Sequence, residues 1–310
     1  MPKVNNGFVY AVLVFVAFIW GLNPPVMKIG LMYIPAMSFN AARMIVALLA
    51  VWTALLYSQT YRPFEKGDLK KAFLVGVGGF FLFQIFLTLG VQRTTAGNTS
   101  LVLALLPVSV AIINKVCKIE EITRPMAIGI LASILGVVLI VLGSNSKLSI
   151  ADSHVTGNLI LLLAQATYGY YTVFSKELLA KYSTYQVTGY VILFSTFFFC
   201  LTSLNEMLRF NWSEVPLAGW ASIVFSGLFP LGIGNFLWIW GLGKVGSTKA
   251  SLYNNLSPVF AVAAGYLMLG ETFGWLQFAG AIVIFAGLYM TRVGKAISQT
   301  ENTRRDISDS

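Results

Sequence analysis

Charged side chains are scarce in this 310-residue chain: Asp, Glu, Lys and Arg make up 11% of it, against about a quarter in a soluble domain. Histidine occurs once, as His154, and cysteine twice, as Cys117 and Cys200. A single histidine in a short polar loop does not build a zinc site or a histidine-based general base. The cysteines have neither metal-ligand nor disulfide spacing and read as small apolar packing residues. Acid is missing where it would count most, because none of the twelve Asp and Glu residues falls in the central part of an apolar run. The runs therefore offer no metal cluster, carboxylate dyad or nucleophile-and-base pair, which argues against an intramembrane enzyme. A proton relay through an intramembrane acid loses support in the same way, favouring facilitated movement or exchange. No cofactor and no metal are expected.

What is present is apolar: 57% of residues are apolar or aromatic, and the mean hydropathy is +0.76. Ten runs are long enough to cross the hydrocarbon core as helices. They lie at about 8–30, 35–57, 70–92, 98–116, 124–143, 156–179, 184–204, 217–241, 248–269 and 275–293. The first could mimic a secretory signal, but it continues past cleavage-site length and reads as a retained span. The polar tail after Arg292 is expected to be disordered. The net charge of +9 has no polar domain to display it, so nucleic acid is not an expected partner. With the N-terminus in the cytoplasm, sixteen of the 21 Lys and Arg residues fall inside and only Lys28, Arg93, Lys147 and Arg209 outside, with Arg43 intramembrane. That bias predicts cytoplasmic termini.

The chain repeats itself. A shift of 151 carries Ser100 onto Ser251, Leu105 onto Leu256, Pro107 onto Pro258, Glu120 onto Glu271, Gly129 onto Gly280 and Gly136 onto Gly287. It also carries Gln84 onto Asn235, while a shift of 148 carries Trp20-Gly21 onto Tyr168-Gly169 and Lys28 onto Lys176. Each half holds five spans. An odd number forces the halves to insert in opposite senses, as in secondary transporters that bind substrate between inverted repeats. The expected fold is an all-α integral membrane protein of ten transmembrane helices, two inverted five-helix repeats around a central cavity. The halves are 1–145 and 146–294, with 295–310 as the tail.

"WGLNPPVMK" in the first span, "TTAGNTSLVLALLPV" followed by Glu120, and "GSTKASLYNNLSPV" followed by "LGET" resemble the drug/metabolite transporter superfamily in its ten-helix EamA-type branch. The resemblance runs from about residue 8 to 293. It implies a basket with helices 1, 3, 4, 6, 8 and 9 around the cavity, and export of amino acids or other small metabolites across a cell membrane, the inner membrane of a bacterium. Tyr168 stands where the first half has Trp20, so the substrate does not follow from the family alone.

Prolines sit inside the apolar runs. Pro24, Pro25, Pro107, Pro230 and Pro258 release the carbonyls of Trp20, Gly21, Leu103, Ser226 and Asn254. Such groups are tolerated at membrane depth only inside protein or beside a watery cavity. Each proline is either a static kink or a hinge used in transport. Polar residues gather at similar depth. Gln165, Tyr168, Thr172 and Ser175 form one stripe on a helix. Asn235 with Trp238, Tyr253 with Asn254, Gln84, and Trp20 with Asn23 stand in other spans. Each amide alone could merely bridge two helices; as a group they predict a polar and aromatic substrate cavity. Arg43, about 12 Å into its span, needs a partner: backbone carbonyls and water, or a substrate carboxylate. Lys28 and Lys249 read as interfacial anchors, and Glu120 and Glu271 as charges at the N-termini of the adjoining spans.

The function expected is secondary transport of small metabolites, amino acids or related zwitterions, outward by alternating access. Efflux of lipophilic or cationic drugs and flipping of a lipid head group are the alternatives. The expected partners are a small-molecule substrate and the bilayer, with the chain acting as a monomer.

Overall fold

The computed structural model describes residues 6–119, 121–143, 153–245, 253 and 256–308, and every regular element among them is helical. In chain order they are α1 (Asn6–Tyr33), α2 (Ala36–Ser58), α3 (Asp68–Leu74), α4 (Leu82–Arg93), α5 (Ala96–Leu103), α6 (Leu106–Val116) and α7 (Arg124–Gly143). Then come α8 (Ser153–Lys181), α9 (Thr184–Arg209), α10 (Leu217–Ser226), α11 (Asn235–Val245), α12 (Ser257–Leu269) and α13 (Trp275–Ser308). π-helical turns at Val75–Phe81 and Gly227–Gly234 join α3 to α4 and α10 to α11 without interruption. Among the described residues, eight helical stretches are long and apolar enough to cross a membrane. α8 is longer but more polar, and α12 is a shorter apolar helix. Outward-facing side chains match that setting: Leu49 is 65% exposed, Leu131 68% and Leu267 79%, a burden that lipid relieves.

Local chemistry sets the ends. Thr95 caps α5 by accepting from the amide of Asn98 at 3.1 Å, and Ser183 caps α9 by accepting from Gln186 at 3.3 Å. Gly270 ends α12 at a φ of 66°, the left-handed conformation that glycine adopts without strain. The last helix continues to Ser308, where the sequence predicts a disordered tail. No glycine or proline follows Gly294 to break it, and Ala, Gln, Glu and Arg are good helix formers.

The prolines act in three different ways. Pro24 and Pro25 are buried within an unbroken α1. Pro107 divides its span: α5 stops, Leu105 N donates to Val102 O at 3.0 Å, and α6 starts with the proline in its first turn. The second half repeats this, with Leu256 N donating to Tyr253 O at 3.0 Å before Pro258 opens α12. Pro230 lies inside a π-helical turn, whose wider spacing absorbs its missing N–H.

The most extensive packing joins α7 to α13, followed by α2 to α9, α4 to α8 and α1 to α12. In the α7–α13 seam Gly129 lies against the carbonyl of Gly287 and Gly136 against that of Gly280, each contact being returned. A methyl group on Gly136 would stand 2.7 Å from the Gly280 oxygen. That oxygen is a backbone atom that cannot turn aside, so Gly136→Leu is expected to cost about 3 kcal/mol or more by overpacking, read as a markedly lower Tm in detergent. An unchanged Tm would mean the seam is loose. The main core lies between the helices, with Phe39, Met44, Leu161 and Phe199 fully buried. At the end of α8, Lys181 pairs with Glu65 at 2.6 Å and Asp68 at 3.1 Å. Those carboxylates hold its ammonium above the ordinary lysine range.

Candidate functional site

Aromatic, amide and arginine side chains from five helices surround a cavity of about 230 Å³. α1 contributes Trp20 and Asn23, α2 Arg43, α4 Gln84, α8 Gln165 and Tyr168, and α11 Asn235 and Trp238, with Pro230 and Pro258 also at the wall. Several expected residues stand elsewhere. Thr172 is not in the wall; its hydroxyl donates to the carbonyl of Tyr168 at 2.8 Å, and Ser175 likewise bonds back to Tyr171 at 2.6 Å. A hydroxyl that can reach its own helix's i−4 carbonyl needs no cavity. Tyr253 stacks on Tyr10, centroids 5.2 Å apart, in a satellite cluster around Val9 and Leu13. Pro24, Pro25 and Pro107 do not line the cavity. Asn254, Glu120 and Lys249 lie outside the described residues.

The wall is built by pairs. Trp20 and Trp238 have ring centroids 5.3 Å apart, and the Trp20 indole N–H donates to the carbonyl of Pro230 at 3.2 Å. A Cβ on Gly234 would come within 2.9 Å of that indole nitrogen, so glycine makes room for the tryptophan. On the other side Phe83 stacks on Tyr168 at 4.4 Å. Phe83 precedes Gln84 as Gly234 precedes Asn235, one large and one small residue answering a tyrosine and a tryptophan. The carbonyl of Leu103, released by Pro107, accepts from Gln165 Nε2 at 2.6 Å. Asn23 Oδ1 accepts from the Ser226 hydroxyl at 2.9 Å, and Asn235 Nδ2 donates to Leu231 O at 3.2 Å.

Two wall atoms are buried with no protein partner among the described residues: Gln165 Oε1 and Ser257 Oγ. A buried polar atom left unpaired costs about 1–3 kcal/mol, a cost a bound polar ligand or water removes. Ser257, Ser100, Phe80 and Phe83 also line the cavity and were not anticipated. For Phe83 and Ser257 the available signal was their position next to Gln84 and Pro258.

Arg43 is fully buried and is the one charged residue in the wall among the described residues. Its Nε donates to Asn40 Oδ1 at 2.8 Å, and its Nη2 to Gln84 Oε1 at 2.6 Å and, weakly, to Thr88 Oγ1 at 3.4 Å. Nη1 faces the Met27 sulfur at 3.3 Å, and the guanidinium lies 5.7 Å from the Phe39 ring centre. Thr88 Oγ1 in turn donates to Asn40 Oδ1 at 2.8 Å. The charge thus rests on side-chain oxygens of α2 and α4 rather than on backbone carbonyls.

Lys28, expected as an interfacial anchor, pairs with Glu271 at 2.7 Å. Glu271 in turn accepts from the first amide of α5, not from the helix that follows it in sequence. Cys117 is exposed, so of the two cysteines only the half-buried Cys200 packs against the core.

A second, more open groove of about 770 Å³ runs between α2, the start of α9 and α11. Its wall is mostly apolar, with Thr60, Ser183, Thr184 and Thr188 on it as well. Leu231 and Asn235 border both spaces.

The model of the EamA-like transporter family matches residues 7–142 and again 155–293. The chain is 26% identical to the uncharacterized transporter YoaV of Bacillus subtilis, over 94% of this chain and 97% of that one. It is 28% identical to an uncharacterized transporter of Archaeoglobus fulgidus, covering 91% of this chain and 97% of the other. A probable terminal-alkyne amino-acid exporter of Streptantibioticus cattleyicolor is also 28% identical, with 90% of this chain and 91% of that one aligned. One solved crystal structure superposes with a TM-score of 0.62 at 17% identity, covering 94% of this chain and 98% of that one, a likeness of fold.

Proposed function

Because the chain belongs to the EamA-like transporter family, we propose that it is a secondary transporter exporting small metabolites, amino acids or related zwitterions, by alternating access across the cytoplasmic membrane. The observation that carries this reading is the small aromatic cavity with two polar atoms, Gln165 Oε1 and Ser257 Oγ, that have no protein partner among the described residues. Its volume of about 230 Å³ is below the roughly 300–1,000 Å³ of drug-sized pockets. Aromatic faces suit an apolar side chain or an ammonium, and the amides suit a polar head. The exporter of S. cattleyicolor, named for an amino acid, supports the same substrate class.

The architecture we propose is ten spans in two inverted halves, 1–145 and 146–294, with both termini in the cytoplasm of a bacterial cell. Three recurrences support it: overlapping π-helical turns under the shift of 151, the same broken span before Pro107 and Pro258, and the reciprocal glycine seam. Reciprocity between antiparallel helices is what a two-fold axis in the membrane plane produces. Pro107, Pro230 and Pro258 are the hinges this reading favours, since helices change character there.

Proteoliposomes preloaded with a labelled neutral amino acid test the substrate class. Apolar amino acids outside should accelerate exchange, and Gln165→Leu should reduce it. Movement of lipophilic cations or a labelled lipid with no amino-acid exchange would overturn the reading. The apolar groove of about 770 Å³ is the feature favouring that outcome.

A further inference from the structure

Four hydrogen bonds join α1, the start of α5 and the turn after α12 at one end of the molecule. Glu271 Oε1 accepts from Lys28 Nζ at 2.7 Å and from Ala96 N at 3.1 Å, while Oε2 accepts from the same amide at 2.8 Å. Lys28 Nζ also donates to the carbonyl of Thr94 at 2.8 Å. The side chains are 23% and 13% exposed, so the pair is largely withdrawn from solvent and weakly screened. The position is prepared on every side. Gly270 turns the chain in the left-handed region, and Glu271 N donates to Gly265 O at 3.1 Å. A Cβ on Gly265 would stand 2.7 Å from Glu271 Oε2. The carboxylate meets the positive end of α5, where a negative charge is favoured.

The helices tied here, α1, α5 and α12, each give a side chain to the central cavity: Trp20, Ser100 and Ser257. α2 returns from the end of α1 after a short turn, so its C-terminus lies at the opposite face. The larger groove, which shares Leu231 and Asn235 with the cavity, reaches that end of α2 at Thr60 and the start of α9 at Ser183. The ion pairs on that side hold α3 and the loop before it to α8 and leave the groove between α2, α9 and α11 open.

We propose that the Lys28–Glu271 pair is a latch that closes the cavity at one face, and that breaking it is a required step before substrate leaves by that face. The latch rests on the alternating-access reading, and the test separates the two. In a chain carrying Cys117→Ser and Cys200→Ser, Ser257→Cys reports access to the cavity. A small, membrane-impermeant methanethiosulfonate is applied to vesicles of each orientation, so that each face is exposed in turn. With the latch intact, labelling from the groove face should be faster. Lys28→Met, which leaves the Glu271 contacts to α5 in place, and Glu271→Gln should each raise labelling from the latch face by about tenfold. Lys28→Arg should restore the original pattern. Retained labelling from the groove face shows that a variant is folded.

A latch-face rate that stays the same in both variants overturns the proposal. So does a rise confined to Glu271→Gln, which would make the carboxylate a cap for α5 and nothing more. Labelling of the reporter from neither face, with the latch intact, would overturn the alternating-access reading and the latch with it.

Discussion

Gln84→Leu is expected to destabilise the folded protein severely, by about 3 kcal/mol or more, because it takes the strongest acceptor from a fully buried guanidinium. Arg43 Nη2 donates to Gln84 Oε1 at 2.6 Å, and its other acceptor, Thr88 Oγ1, is distant at 3.4 Å. Among the described residues no carboxylate lines the cavity to compensate. Arg43→Leu should cost less. It strands the Gln84 oxygen, at about 1–3 kcal/mol, but Asn40 Oδ1 keeps its bond from Thr88 and the buried charge is gone. The double variant Arg43→Leu/Gln84→Leu should then fall well short of the sum of the single losses, since the two share one interaction. Thermal unfolding in detergent of all four proteins gives the comparison. Additive losses would mean that the 2.6 Å contact contributes little.

The same variants address transport. If Arg43 serves chiefly to join α2 to α4, Arg43→Leu lowers the Tm and impairs every substrate alike. A guanidinium that instead receives a substrate carboxylate would leave the Arg43→Leu protein stable, with selective loss of carboxylate-bearing substrates. Lysine would not restore them, because it lacks the planar fork. The oxygens already gathered on Nε and Nη2 favour the first outcome.

Gly21→Val should nearly abolish transport, and Gly169→Val should do less. The two glycines answer each other in the repeat, but their surroundings differ. A Cβ on Gly21 would lie 2.6 Å from the Ser257 carbonyl oxygen, 2.6 Å from Phe260 Cβ and 3.2 Å from Ala261 N. Those atoms belong to the frame of α12 and cannot rotate away, so α1 and α12 must separate. That separation would move Trp20 and Ser257 apart across the cavity. On Gly169 the nearest atoms are the Ile113 Cδ1 tip and Ser109 Cβ, both at 2.9 Å, and the first can swing aside. Overpacking costs about 1–3 kcal/mol where the neighbours can yield and more where they cannot. Exchange rates and Tm values for the pair check the order. A Gly169 variant as impaired as the Gly21 variant would show that local rigidity does not decide the outcome.

Much of the candidate site's lining could be read from residue order. Trp20, Asn23, Gln84, Gln165, Tyr168, Asn235 and Trp238 are polar or aromatic at the depth where the runs are otherwise apolar, and all reach one cavity. What escaped reading has identifiable causes. Thr172 has the right period, but a threonine hydroxyl satisfies itself on its own helix, and periodicity cannot see that. The π-helical turn at Val75–Phe81 contains no proline, only the loose glycine run Gly76, Gly78 and Gly79. Glu271 looked like a charge for the next helix in sequence, yet it caps one 175 residues earlier. Contacts at such separation depend on how the helices assemble. The number of helices that cross the membrane was likewise inferred from run length, and α8 and α12 fall short of the apolarity or length of the other eight.

The glycine seam has an implication for ancestry. Gly129 meets Gly287 and Gly136 meets Gly280, while the repeat equates Gly129 with Gly280 and Gly136 with Gly287. The two glycine contacts across α7 and α13 are therefore ones that a surface could make with an identical copy of itself, residue i to j and j to i. A half-length chain ending in such a helix would already carry both sides of the joint. Two such chains, inserted in opposite directions, would close on each other without a linker, and fusing their genes would only make permanent a pairing that the glycines allow.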